Sequence, residues 1–234
     1  SSFSLQPAGP SLGAEVAGLD LANPLAEPDM AALKAAFAEY GVLFFRDQVL
    51  TPEQQIAFAE SWGKVVINRF FTPVEGHPQV AEVRKEPDQP TNVGGGWHTD
   101  HSYDDEPALG SILYARELPE SGGDTLFAGM SAAYDALSPG FQETLQGLRA
   151  VHSSRHVFGP DAGLPDDMLS RLGNAEMATQ DAVHPVVITH PLSGRKSLYV
   201  NPGFTLRIDG WSHEESKPLL DYLYNHASQP EFCL

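Results

Sequence analysis

His98 and Asp100 are separated by a single threonine. On an extended strand, side chains at i and i+2 project to the same side, so an imidazole nitrogen and a carboxylate oxygen converge beside the chain. Such a pair supplies two of the three protein ligands of a 2-His-1-carboxylate facial triad, which leaves coordination positions open on non-haem Fe(II). A chain of this composition holds on the order of one His-x-Asp by chance, so the spacing alone also fits a plain surface turn. The surroundings narrow the choice. Gly94, Gly95 and Gly96 remove side chains where the backbone could approach a ligand, and Trp97 places a large apolar group beside the pair.

Three ordered motifs extend the pattern: Trp97-His98-Thr99-Asp100, Gly122-Gly123-Asp124-Thr125 and Asn201-Pro202-Gly203-Phe204. Together they resemble the TauD/TfdA family of iron- and 2-oxoglutarate-dependent dioxygenases. The similarity runs from about Gly13 to the last residue, with Ala22-Asn23-Pro24-Leu25 and Phe45-Arg46-Asp47-Gln48 resembling the family's N-terminal region. The resemblance implies a mainly β domain with flanking α-helices, a double-stranded β-helix or jelly roll, occupying residues 1–234 as one unit. It also implies Fe(II), 2-oxoglutarate and O2 as cofactor and cosubstrates, with His98 and Asp100 as metal ligands. Thr125 is the implied partner of the 2-oxoglutarate carboxylate.

The resemblance further places substrate contacts at Asn68 and Phe71, and puts the backbone of His101 at the substrate's edge. Taurine-specific members resemble His and Tyr at the first two positions and Asn at Gly94, so sulfonate recognition is not carried over at these three sites. A loop residue and a core aromatic remain equally good readings of Asn68 and Phe71. Phe158 and Phe204 are expected to line and close the substrate pocket, with ordinary core packing as the alternative. The residue after Asp100, His101, faces away from it on a strand and fits poorly as a ligand. Retention of the Asp100 carboxylate favours hydroxylation, since related halogenases resemble a small residue there.

Composition limits the partners. A formal charge of −17 with dispersed acids argues against nucleic acid, which requires a basic footprint. No apolar run reaches membrane-spanning length, and no signal-like segment opens the chain, so a cytoplasmic protein acting on a small molecule is expected. The single Cys233 excludes an internal disulfide framework. Relatives imply a homo-oligomer, dimer or tetramer.

The positioning elements follow from periodicity and punctuation. A helix is predicted from Asp29 to Gly41, and another from Thr51 as cap and Pro52 at the first position to Gly63. Paired strands are expected over 109–116 and 124–128, and a strand over 150–157. A strand pair is expected over 183–189 and 197–200. Helices are expected over 131–137 and 138–148, and a third follows the Ser212–Glu215 capping box through about Ala227. The stretches 84–93 and 159–182 read as loops able to cover a pocket. Asp104-Asp105-Glu106 reads as a solvated turn, and Arg69 as a surface arginine.

The family's second histidine ligand and the arginine that pairs with the distal 2-oxoglutarate carboxylate do not occur before Leu234. A polypeptide ending there is therefore expected to be C-terminally incomplete as a jelly roll and unable to turn over. The competing activities are a taurine, alkyl-sulfonate or alkyl sulfate dioxygenase, a metal-binding jelly roll without catalysis, and a zinc hydrolase.

Overall fold

The computed structural model describes residues 2–234. Strands β1 (Ser4–Pro7) and β2 (Ala14–Ala17) pair antiparallel, and β3 (Leu43–Phe45) joins β2 in parallel. A parallel neighbour needs a crossover, and helix α1 (Glu27–Tyr40) supplies it. Helix α2 (Pro52–Trp62) follows with the expected start: Thr51 Oγ1 accepts from the Gln54 amide at 3.3 Å, and Gln54 Oε1 accepts from the Thr51 amide at 2.8 Å. Both helices close over the sheet and bury Val16, Leu21, Leu33, Leu50 and Phe58 in a first core. A short hairpin, β4 (Pro73–Val74) with β5 (His77–Ala81), comes next.

The second half begins with α3 (Met130–Asp135) and α4 (Pro139–Gln146). Strand β6 (Arg149–Ser153) then leads through the helical turn α5 (Arg155–Phe158) and the short α6 (Asp166–Leu169) to β7 (Asp181–Pro185). Strands β8 (Val187–Thr189) and β9 (Lys196–Leu198) form a hairpin, and β10 (Thr205–Ile208) precedes α7 (His213–Ala227). β6 is the centre of an antiparallel sheet between β10 and β7. Leu145, Ala150, Val186, Leu198, Ile208, Leu220 and Leu223 form the core between these strands and the helices. The Ser212 capping box starts α7: its hydroxyl accepts from the Glu215 amide at 3.2 Å, and Glu215 accepts from the Ser212 amide at 2.9 Å.

Three expectations are corrected. Residues 109–116 and 124–128 form no ladder with each other. The backbone bonds recorded for the second segment join Phe127 to Leu234 and Gly129 to Phe232. A strand exists only where a second chain segment pairs its amides, and no described segment borders 109–116 in that way, so Leu109, Ile112 and Leu113 stay exposed. The strand expected over 150–157 stops at Ser153, because the amides of Val157, Phe158 and Gly159 bond back to the carbonyls of Ser154 and Arg155 as a helical turn. The His98–Asp100 segment is irregular and turns at Asp100, with His101 in the left-handed region at φ 58°. Four small sheets and seven helices occur among the described residues, and no closed barrel.

Candidate functional site

The extended stretch before the turn still brings the pair together. His98 Nε2 lies 3.2 Å from Asp100 Oδ1. On its other side, His98 Nδ1–H donates to Gly96 O at 2.8 Å, which commits that nitrogen and leaves Nε2 facing Asp100. Asp100 Oδ2 accepts from Ser111 Oγ at 2.9 Å, so the otherwise unpaired segment 109–116 orients the carboxylate. The hydrogen bond with Asp100 raises the pKa of His98 and lowers that of Asp100, each against the opposing effect of burial. One proton therefore sits between the two donors. A divalent cation needs the same two lone pairs, so the residues present fit two positions of a metal site. Among the described residues, no group of three His, Cys, Asp or Glu side chains is placed to hold a metal.

Glycine is required on two sides of His98. A Cβ at Gly94, where φ is 72°, would meet His98 Cε1 at 3.2 Å. A Cβ at Gly203 would meet His98 Cβ at 2.7 Å.

The pair faces a cavity of about 320 Å³. Asn68, Phe71, Gly94, His101, Phe158 and Phe204, each singled out by sequence, all line it with His98 and Asp100. Tyr103, Leu164, Met168 and Leu172 also contribute, and sequence reasoning had not selected them. The wall is aromatic: Phe158 stacks on Phe70 at 4.4 Å and 16°, and Tyr103 meets Phe204 edge-on at 4.8 Å. Burial raises the Tyr103 phenol pKa further above its ordinary value, so its hydroxyl stays neutral at physiological pH. Asn68 Oδ1 accepts from the Phe70 and Phe71 amides at 2.9 and 3.2 Å, which spends its acceptor on local turn geometry. Thr125 is exposed and does not line the cavity.

Arg69 and Asp104 differ from the sequence expectation. Their side chains are 18% and 17% exposed and form an ion pair, and the guanidinium lies over the rings of Phe70 and Tyr103 at 5.2 and 5.4 Å. Asp104 also accepts from His101 Nδ1–H at 2.9 Å, and its carbonyl accepts from His184 Nε2–H at 2.9 Å. Asp105 and Glu106 are exposed in the expected turn, whereas Asp104 is a junction that fixes the chain just beyond Asp100, and Arg69 is already neutralised. Over the cavity, the two expected loops meet: Thr91 donates to Asp167, and Arg171 donates to Thr91 O at 2.9 Å and to Asp167 Oδ2 at 3.0 Å.

A mixed α/β chain that aims a His-x-Asp pair into an aromatic cavity belongs with the metal-dependent oxygenase folds. The comparisons give the particular family: residues 4–234 match the family described as taurine catabolism dioxygenase TauD, TfdA family, and the chain belongs to it. A relative from Sphingobium herbicidovorans, (S)-phenoxypropionate/alpha-ketoglutarate-dioxygenase, is 34% identical over 97% of this chain and 80% of its own length. The crystal structure of a taurine dioxygenase from Burkholderia xenovorans superposes with a TM-score of 0.82 at 33% identity, covering 100% of this chain and 76% of that one. The structure of AAD-2 in complex with Mn(II) and N-oxalylglycine gives a TM-score of 0.76 at 31% identity, covering 99% and 82%. The jelly-roll class expected from the sequence is the fold of these neighbours. The chain spans 56% and 69% of the length of two further relatives, from Schizosaccharomyces pombe and Acinetobacter baylyi. No helix among the described residues is long and apolar enough to cross a membrane.

Proposed function

We propose that residues 1–234 are the larger part of one Fe(II)- and 2-oxoglutarate-dependent dioxygenase domain that hydroxylates a small anionic organic substrate, releasing succinate and CO2. One observation carries this reading: Nε2 of His98 and an oxygen of Asp100 meet at 3.2 Å on the wall of an aromatic cavity. His98 Nε2 and Asp100 Oδ1 would hold the metal, with a third ligand and a dicarboxylate-binding arginine required from outside this stretch. When bound there, Fe(II) with 2-oxoglutarate and O2 supplies an oxidant strong enough to replace a C–H hydrogen by hydroxyl.

The chain's own residues do the rest. His98 gives up the proton shared with Asp100, while Gly96 O keeps its ring in one tautomer. Phe71, Phe158 and Phe204 exclude water and grip the apolar body of the substrate. Thr125 is assigned to 2-oxoglutarate by resemblance alone, and reaching it requires the exposed 122–126 segment to be drawn toward the metal.

A taurine or short sulfonate substrate is the second reading, and an alkyl sulfate the third. Asn68, Phe71 and Gly94 favour a substrate with an aryl or alkyl body over taurine, because they present apolar surface and a committed amide. The test is 2-oxoglutarate consumption by the full-length protein across aryloxy acids, alkyl sulfates and sulfonates. Stimulation by an aryloxy acid supports the first reading, sulfite release from taurine transfers the assignment to the sulfonate class, and stimulation by an alkyl sulfate alone transfers it to the third. Fe(II) binding without 2-oxoglutarate consumption leaves a metal-binding jelly roll without catalysis. A cytoplasmic dimer or tetramer belongs to the same proposal, and light scattering reads its assembly state.

A further inference from the structure

Beneath the cavity lies a polar cluster that the proposed chemistry does not use. Ser102, His152, Asn201 and Thr205 are all buried, on three separate stretches of chain. The Asn201 side chain works in two directions. Its Oδ1 accepts from the Phe204 amide at 2.8 Å, and its Nδ2 donates to Ser102 Oγ at 3.1 Å. The main chain of Asn201 adds two more bonds, donating from N to Thr205 Oγ1 at 2.9 Å and accepting from the Thr205 amide at 3.0 Å. The turn from 201 to 205 is thereby closed on itself and tied to Ser102, a residue 99 positions earlier.

His152 completes the cluster. Ser102 Oγ and Thr205 Oγ1 each accept from Asn201, and each also lies within hydrogen-bond distance of His152 Nδ1, at 3.2 and 3.3 Å. The ring is kept neutral by burial first and by neighbouring His184 second.

The two things this cluster holds are the two sides of the proposed metal pair. Gly203, in the middle of the turn, has its backbone so close behind His98 that a Cβ there would sit 2.7 Å from His98 Cβ and 3.4 Å from Trp97 O. Ser102 follows Asp100 by two residues. We propose that Asn201 is a positioning residue, which sets His98 relative to Asp100 by seating the Gly203 backbone against the first and anchoring Ser102 behind the second. Only a side chain with a donor and an acceptor on one planar group can make both bonds. The role rests on His98 and Asp100 being metal ligands, and goes beyond that reading by naming what fixes them.

A residue that merely stabilises the fold would lower the melting temperature and leave the metal affinity of the folded protein alone. The experiment therefore titrates metal-free full-length protein with Mn(II), counting free ion by electron paramagnetic resonance, well below the melting temperature of each variant. Asn201→Ala with native circular dichroism is expected to bind Mn(II) about 10–100-fold more weakly, the usual effect of losing support behind a ligand. Wild-type affinity in that variant overturns the proposal while the dioxygenase reading stands. If Asn201→Ala does not fold, Ser102→Ala decides, since it cuts the cross-tie and spares the turn: weaker Mn(II) binding supports the role, and unchanged binding overturns it. Wild-type protein that takes up no Mn(II) removes both the dioxygenase reading and this one.

Discussion

The Thr91 hydroxyl donates to Asp167 Oδ1 at 3.1 Å and joins two loops that share the roof of the cavity. Arg171 reinforces the tie from the side of α6, reaching both partners of that bond. Its side chain is 10% exposed and that of Asp167 19%, so the pair is shielded enough from water to count.

Arg171→Ala should therefore loosen the roof. Leaving the partly buried Asp167 carboxylate with Thr91 but without its cation costs about 1–3 kcal/mol locally, enough to open the segment without unfolding the domain. Limited proteolysis should cut within 159–177 several times faster, and the substrate KM should rise roughly tenfold, the equivalent of about 1.4 kcal/mol. Wild-type cleavage rates would show that the roof is held elsewhere.

Gly203→Ala places a methyl where His98 Cβ already stands. Overpacking of this kind costs about 1–3 kcal/mol, and here the strain falls on a proposed ligand. Chemical denaturation should record the loss of stability, and Mn(II) titration a weaker site in the same variant. A variant as stable and as tight as the wild type would mean that the turn shifts freely.

Acid should destabilise the protein through His152. Its folded pKa is lowered from 6.5 to about 3, chiefly by burial, with His184 adding to the effect. The unfolded chain binds the proton that the folded chain refuses, so the histidine's contribution is complete above pH 6.5. It is lost at about 1.4 kcal/mol per pH unit as the pH falls from 6.5 toward 3. Urea unfolding between pH 7 and 4.5 should follow that slope, and His152→Gln should flatten it. Parallel slopes would assign acid sensitivity to other groups.

Phe158→Ala removes a ring stacked on Phe70 and set edge-on to Phe71 and Tyr103. Because the ring is half-buried, the stability cost should fall near about 2–3 kcal/mol. KM should rise more for an aryl-bodied substrate than for a short sulfonate. Equal effects on both would place the substrate body outside this wall.

Much of the scaffold was legible because its signals are local. Thr51 with Pro52, and Ser212 with Glu215, specify helix starts within a single turn of chain; the Ser212 capping box forms as its spacing predicts, and the structure adds Gln54 as the second half of a box at Thr51. His98 and Asp100 needed only two residues of extended backbone to converge, with or without a regular strand. Gly94, His101 and Phe204 lie in or beside the ordered motifs, whereas Asn68 and Phe71 came from the family resemblance alone and Phe158 from its place at a loop entrance; all six line the cavity.

Tertiary structure decided what depends on partners far away in sequence. Whether 109–116 becomes a strand turns on a neighbour to receive its amides, which no pattern within the segment can reveal. Arg69 reads as a free cation until Asp104, 35 residues later, neutralises it. Asn201 reads only as the first residue of the 201–204 motif until folding brings Ser102 to its amide across 99 residues. Residue types and short spacings thus named the chemistry available to this chain, whereas long-range packing selected which groups are paired, buried and held in place. Hydrogen bonds and ion pairs are satisfied in space, and only the folded chain sets those distances.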